Sequence, residues 1–556
     1  MAPAQTDLVF APLGGVGEIG MNLSLYGVGQ GRQRKWLIVD LGVSFASEDQ
    51  LPGVDLILPD IGYIAEEKRD LVGIVLTHAH EDHFGAVLDL WPRLKVPVYA
   101  TPFTAALLEA KRRSEPGAPE VEVKIIPVGG RFTAGPFDVE LVSVAHSIPE
   151  SNALIIRTPA GTVLHTGDWK IDPTPVLGPK TDEAKLRALG DEGCLALIGD
   201  STNAVREGRS PSEQEVGRTI TDLIRSARGR VAVTTFASNV GRLKVVAEAA
   251  RACGREVVVV GRAMERVVQV ARETGNFEGV QDFRSQDAYG YLPPDKVVAL
   301  CTGSQGEARA ALARIAADQH PEVTLSRGDR VIVSARTIPG NEKAVGRVLN
   351  GLIEQGIEVI TDRTHLVHVS GHPRRDELTD MISWVKPKIL IPVHGEALHL
   401  SEHAALARSL GVPEVISCRN GDVVKLSGVA GVIDEIPAGR FYKDGKLLVD
   451  SQSRTVADRR RLSFAGVVSI ALALDERGEL VADPEYDLIG LPERDAEGKA
   501  MADVIATVID QTIQSLPRQR RRDPDSVGES VRRAVRSAVA ERWGKKPMCH
   551  VHVLPV

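Results

Sequence analysis

The stretch LTHAHEDHFGAV, residues 76–87, places three histidines and two carboxylates within six consecutive positions. It begins in an apolar run, residues 73–76, that predicts a buried strand, so the polar side chains fall on the loop at the strand end and on the first turn of a helix. Neutral imidazoles and carboxylates are ligands that divalent metals accept. Four such side chains can serve two ions rather than one. The ligand candidates in this stretch are His78, His80, Asp82 and His83.

Three further candidates follow apolar runs elsewhere in the chain. His146 ends the run ELVSVAHS, Asp168 follows His-Thr-Gly in HTGDW, and His394 lies in PVHGE after a strand pattern. Taken alone, each is more often a hydrogen-bonded histidine or a turn residue than a ligand. The run at 78–83 is harder to explain in that way, because crowding its side chains without a metal leaves several polar groups in need of partners.

Composition and charge limit the classes of function. A chain of 556 residues predicts two to four domains, and its 43% hydrophobic and 25% charged residues are typical of globular proteins. The 67 Lys and Arg residues against 74 Asp and Glu give a net charge of −7. Whole-chain charge therefore does not favour nucleic acid, and such a partner would have to bind a local basic patch.

The five cysteines are scattered singly without a Cys-x-x-Cys pair, which argues against a cysteine zinc site and indicates a reducing compartment. The first 15 residues lack a basic segment followed by an apolar one. The longest apolar run, 464–474, is too short to cross a bilayer. We therefore expect a cytoplasmic protein with no membrane partner.

The pattern of strands and helices changes along the chain. Up to about residue 205, strand-like runs dominate and few helical patterns intervene, as in packed sheets. Beyond that point strands alternate with helices, including helices predicted over 240–252 and 342–354, which indicates parallel strands with helical crossovers. A later polar stretch reads as a linker before a small α+β domain. The predicted divisions are 1–205, 206–355, 356–440, 441–462 (linker) and 463–556.

The order of these motifs resembles that of the metallo-β-lactamase fold. The matching residues are Asp40 in IVDLGV, HAHEDH at 78–83, His146, Asp168 and His394. Asp200 in GDST, His372 in HVSGH and HGE at 394–396 resemble the additional motifs of β-CASP nucleases. With GGVGEIGMN at 14–22 and SARTIPGNE at 334–342, the whole chain is similar to the ribonuclease J family. The resemblance implies an α/β fold: an αββα sandwich, an inserted β-CASP α/β domain and a small C-terminal α+β domain.

The resemblance also implies roles for particular residues. One zinc would be held by His78, His80 and His146, the other by Asp82, His83 and His394, with Asp168 bridging both. Asp40 would orient the ligands. The catalytic residues would be His372 as general acid, with Asp82 and Asp200. Substrate would contact Ala237, Ser238, Asn239, His368, Val369, Ser370, Gly371 and His372. Mn²⁺ is an alternative to Zn²⁺, and a calcium-like site would use acidic residues near 45–49 and near Asp444.

The function that the resemblance implies is a ribonuclease that degrades 5′-monophosphorylated single-stranded RNA from its 5′ end and also cuts internally, in rRNA processing and mRNA decay. It would form a homodimer or homotetramer and work with partners in RNA decay. Two alternatives stay open: a DNA-directed or small-ester hydrolase of the same fold, and a non-catalytic RNA-binding scaffold with a structural zinc. The insertion at 206–355 favours a polymeric substrate, because a small ester would not need the second substrate-facing surface that the insertion would provide.

Overall fold

The computed structural model describes residues 6–46, 51–338 and 340–556. Their strands are β1 (Leu8–Gly14), β2 (Leu23–Val28), β3 (Lys35–Val39), β4 (Ser44–Phe45), β5 (Leu56–Pro59), β6 (Leu71–Val75), β7 (Val98–Ala100), β8 (Val123–Ile125), β9 (Arg131–Ala134), β10 (Phe137–Ser143), β11 (Asn152–Thr158), β12 (Gly161–His165), β13 (Ala196–Asp200), β14 (Val231–Thr234), β15 (Glu256–Val260), β16 (Val297–Cys301), β17 (Arg330–Val333), β18 (Glu358–Ile360), β19 (Ile389–Val393), β20 (Glu414–Val415), β21 (Asp422–Lys425), β22 (Gly431–Glu435), β23 (Arg440–Asp444), β24 (Leu447–Asp450), β25 (Val467–Leu474), β26 (Glu485–Ile489) and β27 (Met548–Pro555).

The α-helices are α1 (Gly62–Glu66), α2 (Glu81–Phe84), α3 (Val87–Leu94), α4 (Pro102–Ser114), α5 (Glu183–Glu192), α6 (Glu213–Ser226), α7 (Val240–Ala252), α8 (Arg262–Glu273), α9 (Ala311–Ala316), α10 (Glu342–Glu354), α11 (Arg375–Val385), α12 (Ala397–Ser409), α13 (Arg454–Ala465), α14 (Met501–Ser515), α15 (Arg518–Arg521) and α16 (Pro524–Trp543). The chain divides into two compact units, Met1–Phe45 with Ile57–Phe441, and Ala46–Leu56 with Tyr442–Val556. None of the described helices combines the length and apolar character needed to cross a bilayer.

Two large sheets pack face to face in the first unit. One has the strand order β22-β21-β1-β2-β3-β6-β7-β8, and the other β20-β19-β13-β12-β11-β10-β9. Their facing side chains form one buried core that includes Phe10, Tyr26 and Val39 from the first sheet and Ile198 and Ile391 from the second. Helices α5, α11 and α12 contribute to a second core on the outer face of the second sheet. Because α3 and α4 connect parallel strands of the first sheet, they lie together on its outer face.

A separate five-stranded sheet lies between α6 and α11 in sequence. All its strands are parallel, in the order β15-β16-β14-β17-β18, as the strand and helix alternation predicted. The predicted helices 240–252 and 342–354 coincide with α7 and α10. These segments carry clear apolar periodicity and end at glycine-containing turns, which is why their bounds could be predicted closely.

The second unit is a small α+β domain. Strands β26, β25 and β27 form its sheet, with β25 parallel to β27 and antiparallel to β26. Helices α14 and α16 bury valines and isoleucines against β25. His550 and His552 are exposed on β27, as a plain strand face requires.

Two parts of the chain contain more regular structure than the sequence pattern indicated. The stretch 441–462, interpreted as a linker, contains β24 and most of α13, because Leu448, Val449 and Val456 supply partly or fully buried positions within a polar sequence. The first 205 residues also contain more helix than predicted. Helix α4 begins with Pro102 at its first turn and ends in three basic residues and a serine, which are ordinary helix-end signals.

Candidate active site

Three candidate side chains lie at the carboxyl ends of parallel strands in the second sheet. Asp168 follows β12, Asp200 ends β13 and His394 follows β19. These strands are adjacent and parallel, so their carboxyl ends lie side by side. His394 adopts a left-handed backbone conformation, with φ of 52°, and its N–H donates to Gly15 O at 2.6 Å. The sheet topology therefore brings together residues that are more than 200 positions apart.

The first sheet supplies the facing residues. Strands β3 and β6 are parallel, and they end just before Asp40 and the run 78–83. Asp40 also has a left-handed backbone, with φ of 61°. Its carboxylate accepts hydrogen bonds from Thr77 N at 2.7 Å, Thr77 Oγ1 at 2.8 Å and His83 Nδ1 at 2.7 Å. Asp40 thus fixes both the strand end and the orientation of His83, as a residue that orients ligands would.

Three histidine nitrogens converge in a first group. His80 Nδ1 lies 3.1 Å from His78 Nε2 and 3.0 Å from His146 Nε2. Asp168 Oδ2 lies 3.7 Å from each of those two Nε2 atoms. The four side chains offer ligand atoms that all lie within 4.8 Å of one another.

A second group shares Asp168 with the first. Its other members are Asp82, His83 and His394. His83 Nε2 lies 3.2 Å from Asp168 Oδ2 and 3.6 Å from Asp82 Oδ2. His394 Nε2 lies 3.4 Å from Asp168 Oδ1 and 3.7 Å from Asp82 Oδ2. The structure therefore brings all seven predicted ligand residues together, with Asp168 between the two groups.

Hydrogen bonds on the far ring nitrogens orient two of the rings. His146 Nδ1 donates to Gly371 O at 2.7 Å and His83 Nδ1 donates to Asp40, so each Nε2 is left to face the cluster. Gly371 must be glycine for this contact, because an added Cβ would lie 2.5 Å from the His146 ring. The HVSGH motif thus contacts a ligand residue directly.

Burial and charge separate the histidines into two classes. Burial lowers the pKa of His78 and His80 well below the usual value, and that of His146 to about 4. These neutral rings offer lone pairs. Burial also lowers the pKa of His83 and His394, but nearby carboxylates, Asp168 foremost, outweigh it and raise both pKa values. Burial raises the pKa of Asp168, yet the neighbouring imidazoles reverse this and hold it well below its usual value.

A third pair lies beside the two groups. His372 Nδ1 donates to Asp200 Oδ2 at 2.8 Å and lies 3.8 Å from Asp168 Oδ2. Burial lowers the pKa of His372, but Asp200 and Asp168 more than compensate and raise it to about 9. Asp200, His372, Asp168 and His394 also lie close enough to hold an ion. The short hydrogen bond between Asp200 and His372 occupies two of those ligand atoms.

The side chains fit divalent metal ions. Among the described residues, Asp168 Oδ1 and both ring nitrogens of His394 are buried without a hydrogen-bond partner. Orphaned buried polar atoms cost free energy unless a ligand satisfies them. The carboxylates of the cluster also raise the pKa of His83 and His394 and so favour the positively charged rings. Bound metal ions would supply the same positive charge. Imidazole and carboxylate donors match Zn²⁺ and Mn²⁺.

Two functional contacts were not predicted from the sequence. Asn22 Nδ2 lies 3.1 Å from both Asp82 O and His83 Nε2. Thr77 Oγ1 donates to Asp40 and lies 2.9 Å from His78 Nδ1. Thr77 directly precedes the ligand run, and Asn22 is the last residue of the glycine-rich stretch at 14–22. Their positions next to these motifs could have identified both residues from the sequence.

The candidate substrate residues occupy two segments. In the first, Ala237 and Ser238 are half-buried, whereas Asn239 is buried and its side chain accepts from Arg242 N at 2.9 Å to cap α7. In the second, Val369 is buried, and Ser370 Oγ accepts from Asn203 Nδ2 at 2.9 Å. His368 is half-buried, and its Nδ1 has no partner among the described residues.

The calcium-like site cannot be placed on this structure. Residues 47–50 of the acidic loop lie outside the described residues. Asp444 forms an ion pair with Arg459 at 2.5 Å.

Family models match most of the chain. The metallo-β-lactamase superfamily matches residues 26–260 and the ribonuclease J β-CASP domain residues 228–352. The Zn-dependent metallo-hydrolase RNA specificity domain matches 356–417 and the ribonuclease J C-terminal domain 454–556. The predicted fold class is confirmed by these matches. They overlap or leave gaps, so the domain divisions predicted above stay a proposal.

Individual proteins agree with the family models. The chain is 56% identical to ribonuclease J of Sinorhizobium meliloti, over 99% of this chain and 98% of that protein. It is 40% identical to ribonuclease J of Mycolicibacterium smegmatis (98% and 97%) and 34% identical to that of Helicobacter pylori (99% and 80%). A crystal structure of a protein of unknown function from Enterococcus faecalis shares the fold at a TM-score of 0.52 and 16% identity, covering 75% of this chain and all of that one. The chain therefore belongs to the ribonuclease J family.

Proposed function

We propose that the chain is a metal-dependent ribonuclease that degrades 5′-monophosphorylated single-stranded RNA from its 5′ end and also cuts internally. The observation that carries this proposal is the sharing of Asp168 by two ligand groups, with the protonated His372 beside them. The names of the relatives and the matched RNA specificity domain support RNA as substrate. We propose roles in rRNA processing and mRNA decay, in the cytoplasm.

Two Zn²⁺ ions are the proposed cofactors, with Mn²⁺ as an alternative. The first would be held by His78, His80 and His146, the second by Asp82, His83 and His394, and Asp168 would be shared. When bound, such a pair supplies Lewis-acid stabilisation of negative charge on phosphoryl oxygens and lowers the pKa of water. Asp40, Thr77 and Asn22 hold the ligand side chains in orientation through the hydrogen bonds described above.

His372 is the proposed general acid. At neutral pH its raised pKa keeps both ring nitrogens protonated. Nδ1–H is fixed on Asp200, which leaves Nε2–H to donate to the departing 3′ oxygen. The His372 side chain is 19% exposed whereas that of Asp200 is fully buried, so the ring has access to substrate while its carboxylate partner is shielded from water.

Two segments are proposed to bind RNA. Ala237, Ser238 and Asn239 lie at the start of α7, whose first free amides favour phosphate. His368, Val369, Ser370, Gly371 and His372 form the second segment. Assembly as a homodimer or homotetramer, and association with RNA-decay partners, are part of the proposal.

The test uses 5′-labelled RNA bearing either a monophosphate or a triphosphate, with matched single-stranded DNA, digested with and without chelator. We expect mononucleotides from the monophosphorylated RNA, some internal fragments, and no product with chelator. The Asp168→Ala variant is the matched control and should lack activity while remaining folded. Equal turnover of DNA would favour the DNA-directed hydrolase, and retained cleavage by the variant would contradict the assigned metal ligands.

A non-catalytic scaffold with a structural zinc is disfavoured by one observation. A structural site needs four ligands and an enclosed ion, whereas here two groups share a ligand and a protonated histidine stands beside them. RNA binding by the wild-type protein without any turnover, at full metal content, would restore that alternative.

A further inference from the structure

A buried glutamate outside the metal cluster joins three segments of the active site. Glu377 lies on the first turn of α11 and is fully buried. Its Oε1 accepts a hydrogen bond from Ile171 N at 2.8 Å. Its Oε2 accepts two more, from Ser210 N and Arg374 N, both at 2.9 Å. One carboxylate therefore satisfies backbone amides that are up to 206 positions away in the sequence.

Two of these amides belong to segments that carry proposed active-site groups, and the third lies beside one of those segments. Ile171 is three residues beyond Asp168, the shared ligand. Arg374 is two residues beyond His372. Ser210 contacts His372 directly, since its Oγ donates to His372 O at 3.4 Å. Asn203 Nδ2 donates to the same carbonyl oxygen at 3.1 Å. Glu377 thus fixes the backbone next to the shared ligand and next to the proposed acid.

The surroundings of Glu377 differ from those of Glu213, another buried carboxylate. Glu213 pairs with Arg242 at 2.7 Å and with Lys170 at 3.6 Å. Within the described ranges, no Lys or Arg nitrogen lies within 4.0 Å of the Glu377 carboxylate. A buried carboxylate with no cation in direct contact is costly unless hydrogen bonds compensate. The three amides are those compensating donors, and they would themselves be left unsatisfied by an apolar side chain.

We propose that Glu377 is a positioning residue that sets the separation of His372 from Asp168, an inference that rests on the proposed function. His372 Nδ1 and Asp168 Oδ2 are 3.8 Å apart, although their segments are far apart in the sequence. Misplacement of a reacting group by about 1 Å can cost on the order of 100-fold in rate. A single acceptor shared by both segments prevents such movement.

Glu377→Gln is the test. The amide keeps the shape of the side chain but can accept through one oxygen only, and its NH₂ faces a backbone donor. We expect kcat on monophosphorylated RNA to fall by about 10–100-fold with KM nearly unchanged, and zinc content to stay at the wild-type level. In the Co²⁺-substituted protein, the visible absorption bands should shift, because the segment carrying Asp168 is no longer held.

Glu215→Gln is the matched control. Glu215 accepts from Ser212 N at 2.8 Å, the same bond that Glu377 makes to Arg374 N, but the Glu215 side chain is exposed. It should lower stability slightly and leave kcat and the Co²⁺ spectrum unchanged. A purely structural role for Glu377 would lower the melting temperature while kcat per folded molecule and the spectrum stayed at wild-type values, and that result would overturn the proposal.

Two arms keep the outcome decisive. If Glu377→Gln does not fold, Glu377→Asp replaces it in the test. The aspartate keeps both carboxylate oxygens on a side chain that is shorter by one methylene group. An unchanged kcat in this variant would overturn the proposal. If the wild-type protein does not cleave RNA, the proposed function fails, and bis(p-nitrophenyl) phosphate with added Mn²⁺ serves as substrate for the same comparison. A loss of kcat on that ester would still support Glu377 as a positioning residue.

Discussion

Asp200 and Ser201, adjacent at the end of β13, each contact a histidine, and the two histidines differ in charge. Asp200 accepts from His372 Nδ1 at 2.8 Å, and Ser201 Oγ lies 2.9 Å from His403 Nδ1. Burial lowers both pKa values, but the carboxylates beside His372 raise its pKa to about 9 whereas the pKa of His403 falls to about 4. The partner, rather than burial, decides which imidazole carries a proton at neutral pH.

The contrast also separates a reactive pair from a packing pair. His403 is 1% exposed on α12 and packs so closely on β13 that a Cβ at Gly199 would lie 2.9 Å from its ring. His372 keeps 19% of its side chain exposed beside Asp168. Consecutive residues at the end of β13 therefore point in opposite directions, one towards the proposed metal ligands and one into the interior.

The largest effect is expected from removing the charged histidine. His372→Ala should lower kcat by about 10²–10⁴-fold, because the proton donor is lost. Single-turnover cleavage of labelled RNA at equal zinc content measures this. His403→Gln is the control and should leave kcat close to wild type. Equal losses from both substitutions would show that the two histidines do not differ in the way proposed.

The sequence predicted one half of this comparison and missed the other. The ligand run at 78–83 follows an apolar strand, so a local pattern indicated it, whereas the role of His372 was implied by the family resemblance. His403 lies inside α12 with no neighbouring signal, and its partner is 202 positions away. Glu377 was missed for the same reason, since a glutamate at a helix start is ordinarily only a cap.

The same distinction explains which parts of the fold were predicted. Helices α7 and α10 carry their own periodicity, whereas the 441–462 segment is polar, and its strand and helix are stabilised by packing that composition does not reveal. Convergence of His78, His146 and His394 depends on the sheet order. That order was inferred from resemblance and not from spacing.

An intermediate effect is expected from neutralising the partner of His372. Asp200→Asn keeps the shape but removes the charge that raises the pKa of His372, so kcat should fall by about 10–100-fold. The protonated ring is the active form, and its pKa drops in the variant. We therefore expect the alkaline limb of the kcat profile, which the raised pKa of His372 predicts in the wild type, to move to lower pH in the variant. Measuring kcat from pH 6 to 10 at constant metal content tests this, and an unmoved limb would exclude Asp200 as the controlling charge.

The smallest effect on turnover, but a distinct effect on stability, is expected at His403. The ring has a pKa of about 4 when folded and a usual pKa of about 6.5 when unfolded, so the unfolded chain binds the extra proton between these values. The stability that neutral His403 contributes is complete above pH 6.5 and is lost as the pH falls towards 4. The slope is at most about 1.4 kcal/mol per pH unit.

His403→Gln should remove this slope. Urea unfolding of both proteins at several pH values from 4.5 to 7.5 gives the difference in free energy of unfolding, and groups that titrate equally in both cancel. We expect the variant to be less stable at pH 7.5 and the gap to narrow as the pH falls, because only the wild type loses stability by protonating this ring. If the difference in free energy of unfolding stayed constant with pH, His403 would have its usual pKa in the folded protein. Burial beside the Ser201 hydroxyl would then not keep the ring neutral, and the proposed difference in charge between His403 and His372 would be contradicted.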